Sequence, residues 1–195
     1  ALFNDPAGLV VTANGQVLYI ADSQNHAIRK LDLSHNDFPV TTYVGSLSNG
    51  GNAIGHRTSA ALLYSPQDVA LSSDGTRLFI ADSSNYRIRQ LTLSTEQVIN
   101  LVGSGSIGLV DSPNTVEMNL PTGIAVSPDG ESMVVADKEN NCIRLLQGIN
   151  DPNTVVTTTL AGDQSPGESD GLATARFKRP SSVAYSPDGG IIFVG

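Results

Sequence analysis

An all-β fold built from repeated four-stranded sheets is predicted by three features of this 195-residue sequence. A nine-residue motif occurs three times, a proline marker recurs in step with it, and turn residues are abundant. The chain contains 19 glycines and 10 prolines, whereas charged residues make up only 15% of it. Such a composition suits many short strands joined by tight turns.

The repeated motif reads Ala-Asp-x-x-Asn-x-x-Ile-Arg. Its copies start at Ala21, Ala81 and Ala136, so they are spaced by 60 and 55 residues. A second marker consists of prolines that precede short apolar runs, with spacings of 60, 55 and 59 residues: Pro6, Pro66, Pro121 and Pro180. Because the two spacings agree, the chain is an array of units of 55 to 60 residues.

Each complete unit is predicted to contain four strands. The first two flank an Asn-Gly or Asp-Gly turn, which is the strongest short hairpin signal. The third carries the Ile-Arg of the motif, and the fourth ends at Gly45, Gly103 or Gly162. The predicted strands are 8–11, 17–20, 28–31 and 40–44, then 68–71, 78–80, 88–91 and 98–102, then 123–126, 133–135, 143–146 and 155–160, and finally 182–185 and 191–194.

Four antiparallel strands repeated at this period are typical of a β-propeller blade. One blade cannot bury both faces of its sheet, so neighbouring blades must stack. We expect a single partial propeller with blades at 1–60, 61–115 and 116–174 and the start of a fourth at 175–195. Four apolar residues, each three positions before a marker proline, are predicted to fill the blade junctions: Phe3, Leu63, Met118 and Phe177.

Together, the motifs Pro-x-Gly-hydrophobic, Asp-Gly and Ala-Asp-x-x-Asn-x-x-Ile-Arg resemble the NHL repeat across the whole chain. This resemblance implies a propeller of six or more blades, but no single activity. About three and a half blades are present here, so we expect a fragment of a longer propeller. The unpaired strand edges and open faces of such a wedge favour self-association.

Composition bears on partners and compartment. The net charge of −8 disfavours binding to nucleic acid, because an acidic chain repels phosphate at long range. The apolar runs are too short for a transmembrane helix. Cys142 has no partner for an internal disulfide, and no Asn-x-Ser/Thr sequon occurs. These features lean weakly towards an intracellular location, and the compartment stays open.

The constant polar residues of the motif are interpreted as scaffold rather than as a ring of metal ligands, because all units share them. We expect the aspartates to accept backbone N–H bonds at the turn, and the asparagines to occupy its left-handed position. The arginines are expected to reach an aspartate or carbonyl of the neighbouring blade. The residues are Asp22, Asp82, Asp137, Asn25, Asn85, Asn140, Arg29, Arg89 and Arg144.

The sequence predicts no catalytic, cofactor-binding or metal-binding residue. His26, His35 and His56 all lie in the first unit, which disfavours a zinc site built from several blades. The Gly-x-Gly-x-x-Gly match at 103–108 is not followed by a helical pattern, so we interpret it as a loop. Cys142 is interpreted as a half-buried structural thiol rather than a nucleophile.

Function is expected where the repeats differ. His26, Tyr86 and Asn141 occupy the same variable position between the second and third strands, and long loops at 46–60, 104–115 and 163–173 cross between blades. Variable loops on a rigid scaffold are common recognition surfaces. The first hypothesis is therefore a non-enzymatic scaffold that binds a protein partner through these residues. The resemblance leaves two alternatives: a metal-dependent lyase or hydrolase completed by further blades, and an RNA-binding propeller.

Overall fold

Three antiparallel sheets and a two-stranded sheet follow one another along the chain. The computed structural model describes residues 2–47, 49–112, 115–171 and 174–195, so Ala1 and parts of the three predicted loops lie outside the described residues. The strands of each sheet are ordered as they occur in the sequence, apart from one extra edge strand. This meander confirms the predicted propeller architecture of four-stranded blades.

The first sheet consists of β1 (Pro6–Val11), β2 (Val17–Asp22), β3 (Ala27–Asp32) and β4 (Val40–Gly45). The second consists of β5 (Gly55–His56), β6 (Asp68–Leu71), β7 (Arg77–Asp82), β8 (Arg87–Thr92) and β9 (Gln97–Val102). The third consists of β10 (Pro121–Val126), β11 (Ser132–Asp137), β12 (Cys142–Gln147) and β13 (Val156–Ala161). The fourth consists of β14 (Val183–Tyr185) and β15 (Ile192–Val194). Short 3-10 helices at Ser23–Asn25, Ser83–Asn85 and Lys138–Asn140 follow the second strand of each complete sheet.

The hairpin between the first two strands is fixed by a side-chain bond that recurs in each unit. Ser72 Oγ donates to Asp74 Oδ1 at 2.5 Å, and the same oxygen accepts the Thr76 N–H at 3.0 Å. Ser127 with Asp129 and Ser186 with Asp188 repeat the pattern. These bonds place a glycine at positive φ in the turn, as the Asp-Gly pattern predicts.

The core is divided among the junctions between sheets, because successive strand residues point to opposite faces. Within β7, Leu78 and Ile80 pack in the cluster shared with the first sheet, while Phe79 and Ala81 pack in the cluster shared with the third. A third cluster joins Val134 and its neighbours to the fourth sheet. Each blade is thus a two-sided layer whose faces serve different neighbours.

The residues predicted to fill the junctions do so to different extents. Leu63 and Met118 are fully buried in the first two junctions, and Phe177 packs in part against the third. Phe3 remains 39% exposed, with the Arg29 guanidinium 5.5 Å from its ring centre. The prediction is confirmed where the structure has a sheet on both sides of the residue.

The outward faces of the first and last sheets are apolar and exposed. Leu9 and Val11 point away from the second sheet, and Ile191 and Phe193 point away from the third. Residues at equivalent positions elsewhere, such as Val69 and Phe79, are buried against a neighbouring sheet.

One strand was not predicted. β5 lies in the loop before the second marker proline and pairs antiparallel with β9, which widens the second sheet to five strands. It consists of two residues, and neither is an apolar residue that favours strands. The sequence therefore shows no alternation of apolar and polar residues that would predict it.

Candidate functional site

The motif residues form a buried polar cluster within each blade. In the second blade, Asp82 Oδ1 accepts the Tyr64 N–H at 2.7 Å, while Oδ2 accepts Asn85 Nδ2 and Arg89 Nε, both at 2.8 Å. Asp22 and Asp137 make the matching bonds to Asn4, Asn25 and Arg29 and to Asn119, Asn140 and Arg144. Burial raises the pKa of the Asp82 carboxyl, and Arg89 and the N–H donors oppose that shift. The cluster ties the proline marker to the motif turn, which supports its interpretation as scaffold.

One detail of that interpretation is wrong. The left-handed residue of the turn is not the asparagine but the residue after it: φ is 53° at His26, 55° at Tyr86 and 51° at Asn141. The physical reason is that Asn25, Asn85 and Asn140 use their side-chain amides on the aspartate and remain inside the 3-10 helix. The chain therefore reverses one position later.

The expected contact between the arginines and a neighbouring blade is confirmed for Arg89 and Arg144, and each arginine also makes a contact that was not expected. Each one pairs with the aspartate of its own blade, because both side chains lie on adjacent strands of one sheet. In Arg89 and Arg144, the Nη2 group also reaches the segment that arrives from the preceding unit. Arg89 Nη2 bonds to Asn52, and Arg144 Nη2 bonds to Val110 O at 3.0 Å and to the Asp111 carboxylate. The arginines therefore hold the connecting loops as well as their own turn.

His26, Tyr86 and Asn141 lie at three separate blade junctions and do not meet. His26 Nδ1 accepts the Ser65 N–H at 3.2 Å, and Asn141 Oδ1 accepts the Arg179 N–H at 2.9 Å. In both cases the acceptor belongs to one blade and the donor to the next. Among the described residues, no such bond joins Tyr86 to the equivalent Leu120, so Tyr86 is left as a partly exposed aromatic side chain.

We call the side of the molecule that carries these turns, and from which the connecting loops start, the top face. The described part of the first long loop is fixed to it: Gly51 N donates to Leu63 O at 2.9 Å, Leu62 N to Ala53 O at 3.0 Å, and Asn85 Nδ2 to Gly51 O at 2.7 Å. Two large apolar side chains nevertheless remain close to half exposed there: Leu47 at 49% and Tyr64 at 46%. Ile54 is equally exposed, but it precedes β5, which pairs with the start of β9 at the end of that strand remote from the top face.

Near the propeller axis, the first strands of all four units begin around an open cavity of about 470 Å³. We call this cavity the axial depression, and its lining includes Gly8, Gln67, Asp68, Gly123, Lys138 and Ser182. Sequence reasoning missed it, because its charged residues look like ordinary variation within the repeat. Their signal is a departure at matching positions: Asp68 stands where other units have Gly8, Gly123 and Ser182, and Lys138 stands where they have Ser23 and Ser83.

Asp68 bridges two blades. Its Oδ2 accepts the Ile124 N–H of the next blade at 2.9 Å, and its Oδ1 accepts the N–H of the following residue, Val69, at 2.9 Å. A side chain at Gly8 would lie 1.9 Å from Asp68 Oδ1, so glycine there gives the carboxylate its space. Burial raises the pKa of Asp68 to about 6, and the two N–H donors offset only part of that shift.

The pKa of Asp68 leads to a pH-dependent prediction. A carboxyl whose pKa is raised in the folded state contributes most to stability below its unfolded pKa near 4, and loses that contribution as the pH rises through about 6. Between pH 4 and pH 7.5 we expect wild type to lose about 1–3 kcal/mol relative to Asp68→Asn. Urea unfolding of both proteins across this range measures the difference, and parallel pH profiles would contradict it.

The other reactive side chains have structural partners. His35 Nδ1 lies 3.2 Å from Asp32, and His56 Nε2 lies 3.0 Å from Glu96. Cys142 is fully rather than half buried, and burial raises the pKa of its thiol to about 12, which removes it as a nucleophile at neutral pH. The segment at 103–108 is a loop. Within the ranges the structure describes, no group of three or more His, Cys, Asp or Glu side chains is arranged to hold a metal.

None of the helices among the described residues has the length and apolar character needed to cross a membrane.

Comparison with known proteins agrees with the repeat. A family model described as NHL repeat matches residues 3–31. Protein SUPPRESSOR OF QUENCHING 1, chloroplastic, of Arabidopsis thaliana is 30% identical over 203 residues, which cover 98% of this chain and 19% of that protein. NHL repeat-containing protein 2 of Homo sapiens is 29% identical over 154 residues, covering 74% of this chain and 21% of that protein. The chain spans about a fifth of the length of these two relatives.

Solved structures share the fold at low identity. A structural genomics protein of unknown function from Bacteroides thetaiotaomicron superposes with a TM-score of 0.74 at 18% identity, covering 98% of this chain and 44% of that one. An auxiliary nutrient binding protein from the same organism gives a TM-score of 0.63 at 17% identity, covering 100% of this chain and 57% of that one. At such identities the likeness concerns the fold alone.

Proposed function

Because the chain belongs to the NHL-repeat β-propeller family, we propose that it is a non-enzymatic scaffold that binds a protein partner through its top face. The observation that carries this proposal is the first long loop. Its described part is held by backbone and side-chain bonds and passes the Tyr64 ring at Gly50, yet it leaves Leu47 exposed on the same face as Tyr64. An apolar surface on a pre-ordered loop binds with little loss of conformational entropy.

Tyr86 supports the same proposal. Of the three variable turn residues, His26 and Asn141 accept hydrogen bonds from the next blade. The Tyr86 side chain makes no such bond, and its aromatic ring is partly exposed. Aromatic side chains such as tyrosine and tryptophan are enriched among the residues that dominate protein interfaces. We therefore propose that Tyr86 contacts the partner, and that His26 and Asn141 contribute by setting the shape of the surface.

The substitution Tyr86→Asn separates binding from stability, because it copies the residue found at Asn141. The new amide is expected to accept the Leu120 N–H and to tolerate the left-handed backbone, so the free energy of unfolding should rise by about 0.5–1.5 kcal/mol. Binding should weaken at the same time. Photo-crosslinking from position 47 in the intact protein measures capture of the partner, and urea unfolding measures stability.

A matched control lies on the opposite face. Phe38 is a large exposed side chain in the connection between β3 and β4, so Phe38→Ser removes a comparable apolar group away from the top face. Crosslinking should survive this change and decline with Tyr86→Asn and Tyr64→Ser. Equal capture by all variants would count against the proposal. A stoichiometric divalent ion in the purified full-length protein would instead favour the metal-dependent lyase or hydrolase alternative.

A further inference from the structure

The axial depression holds two opposite charges that the repeat does not require. Asp68 and Lys138 come from different blades and line the same cavity. The equivalent positions in other units carry glycine or serine, and the blades stack there without either charge. Neither charged residue is therefore demanded by the propeller geometry.

Lys138 differs from its equivalents in what its side chain does. Ser23 Oγ accepts a bond from Gln67 Nε2 at 2.6 Å, and Ser83 Oγ donates to Pro121 O, so both serines join neighbouring blades. Lys138 is only partly buried, and with the residues that the structure describes its ammonium forms no hydrogen bond or ion pair. It lines both the axial depression and a smaller adjoining cavity of about 230 Å³. The ammonium is therefore free to bind an anionic group in either.

Asp68 supplies the negative charge of the axial depression. Its two oxygens accept backbone N–H bonds, but no cation among the described residues pairs with it. A partly desolvated carboxylate gains more from a cationic ligand than an exposed one does, because the surrounding dielectric is low. The rest of the lining is uncharged and combines polar side chains, such as Gln67, Thr122 and Ser182, with apolar Ala7 and Leu9, which suits a small molecule with polar ends and a short apolar middle.

The charges also discriminate among ligands. A divalent metal prefers six or more oxygen ligands and usually several carboxylates, whereas Asp68 is the one carboxylate in the lining described. A phosphate dianion would meet a single lysine and be repelled by Asp68. A ligand that carries one ammonium and one carboxylate satisfies both side chains and adds no net charge.

We propose that the axial depression binds a small zwitterion of the amino-acid class, with its carboxylate on Lys138 and its ammonium facing Asp68. The interaction is independent of partner binding at the outer part of the top face. Gly8 contributes by leaving room for the Asp68 carboxylate.

A series of ω-amino acids tests this site, because their chain length sets the separation between the two charges. Glycine, β-alanine and γ-aminobutyrate would be titrated into the intact protein by NMR, with acetate and methylammonium as the separate halves. We expect one length to bind best, and to bind at least about tenfold more tightly than either half.

Two substitutions and one control complete the test. Lys138→Ser copies Ser23 and Ser83, and Asp68→Asn keeps the shape of the side chain without its charge; each should weaken binding of the preferred zwitterion at least about tenfold. Lys178→Ser removes an exposed lysine outside the axial depression and should leave binding unchanged. Circular dichroism confirms that each variant is folded. The proposal is overturned if no zwitterion saturates the protein below about 10 mM, if acetate binds as well as the zwitterions, or if either variant binds like wild type.

Discussion

Replacing Asp82 with alanine is expected to lower the free energy of unfolding by about 3–5 kcal/mol, because it leaves a buried arginine without its carboxylate. The Asp82 and Arg89 side chains are both fully shielded from solvent, and Nε lies 2.8 Å from Oδ2. The same change removes the acceptors of the Tyr64 N–H and the Asn85 amide. Three donors then lose an acceptor, and the marker proline segment keeps only the bond from Ser84 N to Tyr64 O in its link to the motif turn.

Urea unfolding followed by circular dichroism measures this loss. Asp32→Ala serves as the control, because Asp32 is a more exposed aspartate whose carboxylate bonds only to its local turn. The double variant Asp82→Ala, Arg89→Met should be less destabilised than Asp82→Ala alone, since the unpaired charge is then gone. A loss below about 1 kcal/mol for Asp82→Ala would show that the cluster is not a main source of stability.

Replacing Gly103 with alanine is expected to cost about 2–5 kcal/mol, from backbone strain and steric overlap together. Gly103 directly follows β9 and has a φ of +108°, and an added Cβ would lie 2.4 Å from Tyr86 O and 2.9 Å from the Arg87 Cα. Both neighbours are backbone atoms of the motif turn, so neither can rotate out of the way. Gly45 and Gly162 meet the same obstacle at their own turns.

Gly75→Ala separates the two causes. Gly75 has a positive φ of +67°, but its Cβ would meet nothing within 4 Å, so only the backbone strain applies and about 1–2 kcal/mol is expected. Thermal and urea unfolding of both variants compare the two sites. Equal destabilisation would mean that the contact with the motif turn is not the limiting constraint.

Most of the fold could be predicted from the sequence, because each unit contains its own turn and strand signals. Asp-Gly and Asn-Gly specify the hairpins, alternating apolar residues such as Leu78 and Phe79 specify two buried faces, and the motif identifies the turn between β7 and β8. The two-residue strand β5 could not be predicted, because backbone pairing with β9 creates it and no side-chain pattern marks it.

The site was predictable only in part. Variation at His26, Tyr86 and Asn141 pointed to the top face, but it could not reveal that two of the three side chains bridge blades, since Ser65 and Arg179 lie nearly forty residues away along the chain. Asp68 and Lys138 were harder still. They line the same cavity only because the starts of the first strands converge at the axis. A comparison of one unit with the next shows each residue only as a separate departure from the repeat.

The two-sided packing of each blade has a consequence for how such a chain diversifies. Leu78 packs against the first sheet and Phe79 packs against the third, so a substitution at either position needs compensating changes at one junction only. Adjoining junctions can therefore drift separately. When a whole unit is inserted, lost or recombined, only its two packing interfaces have to fit the new neighbours. The blade is therefore the unit in which this array is expected to evolve.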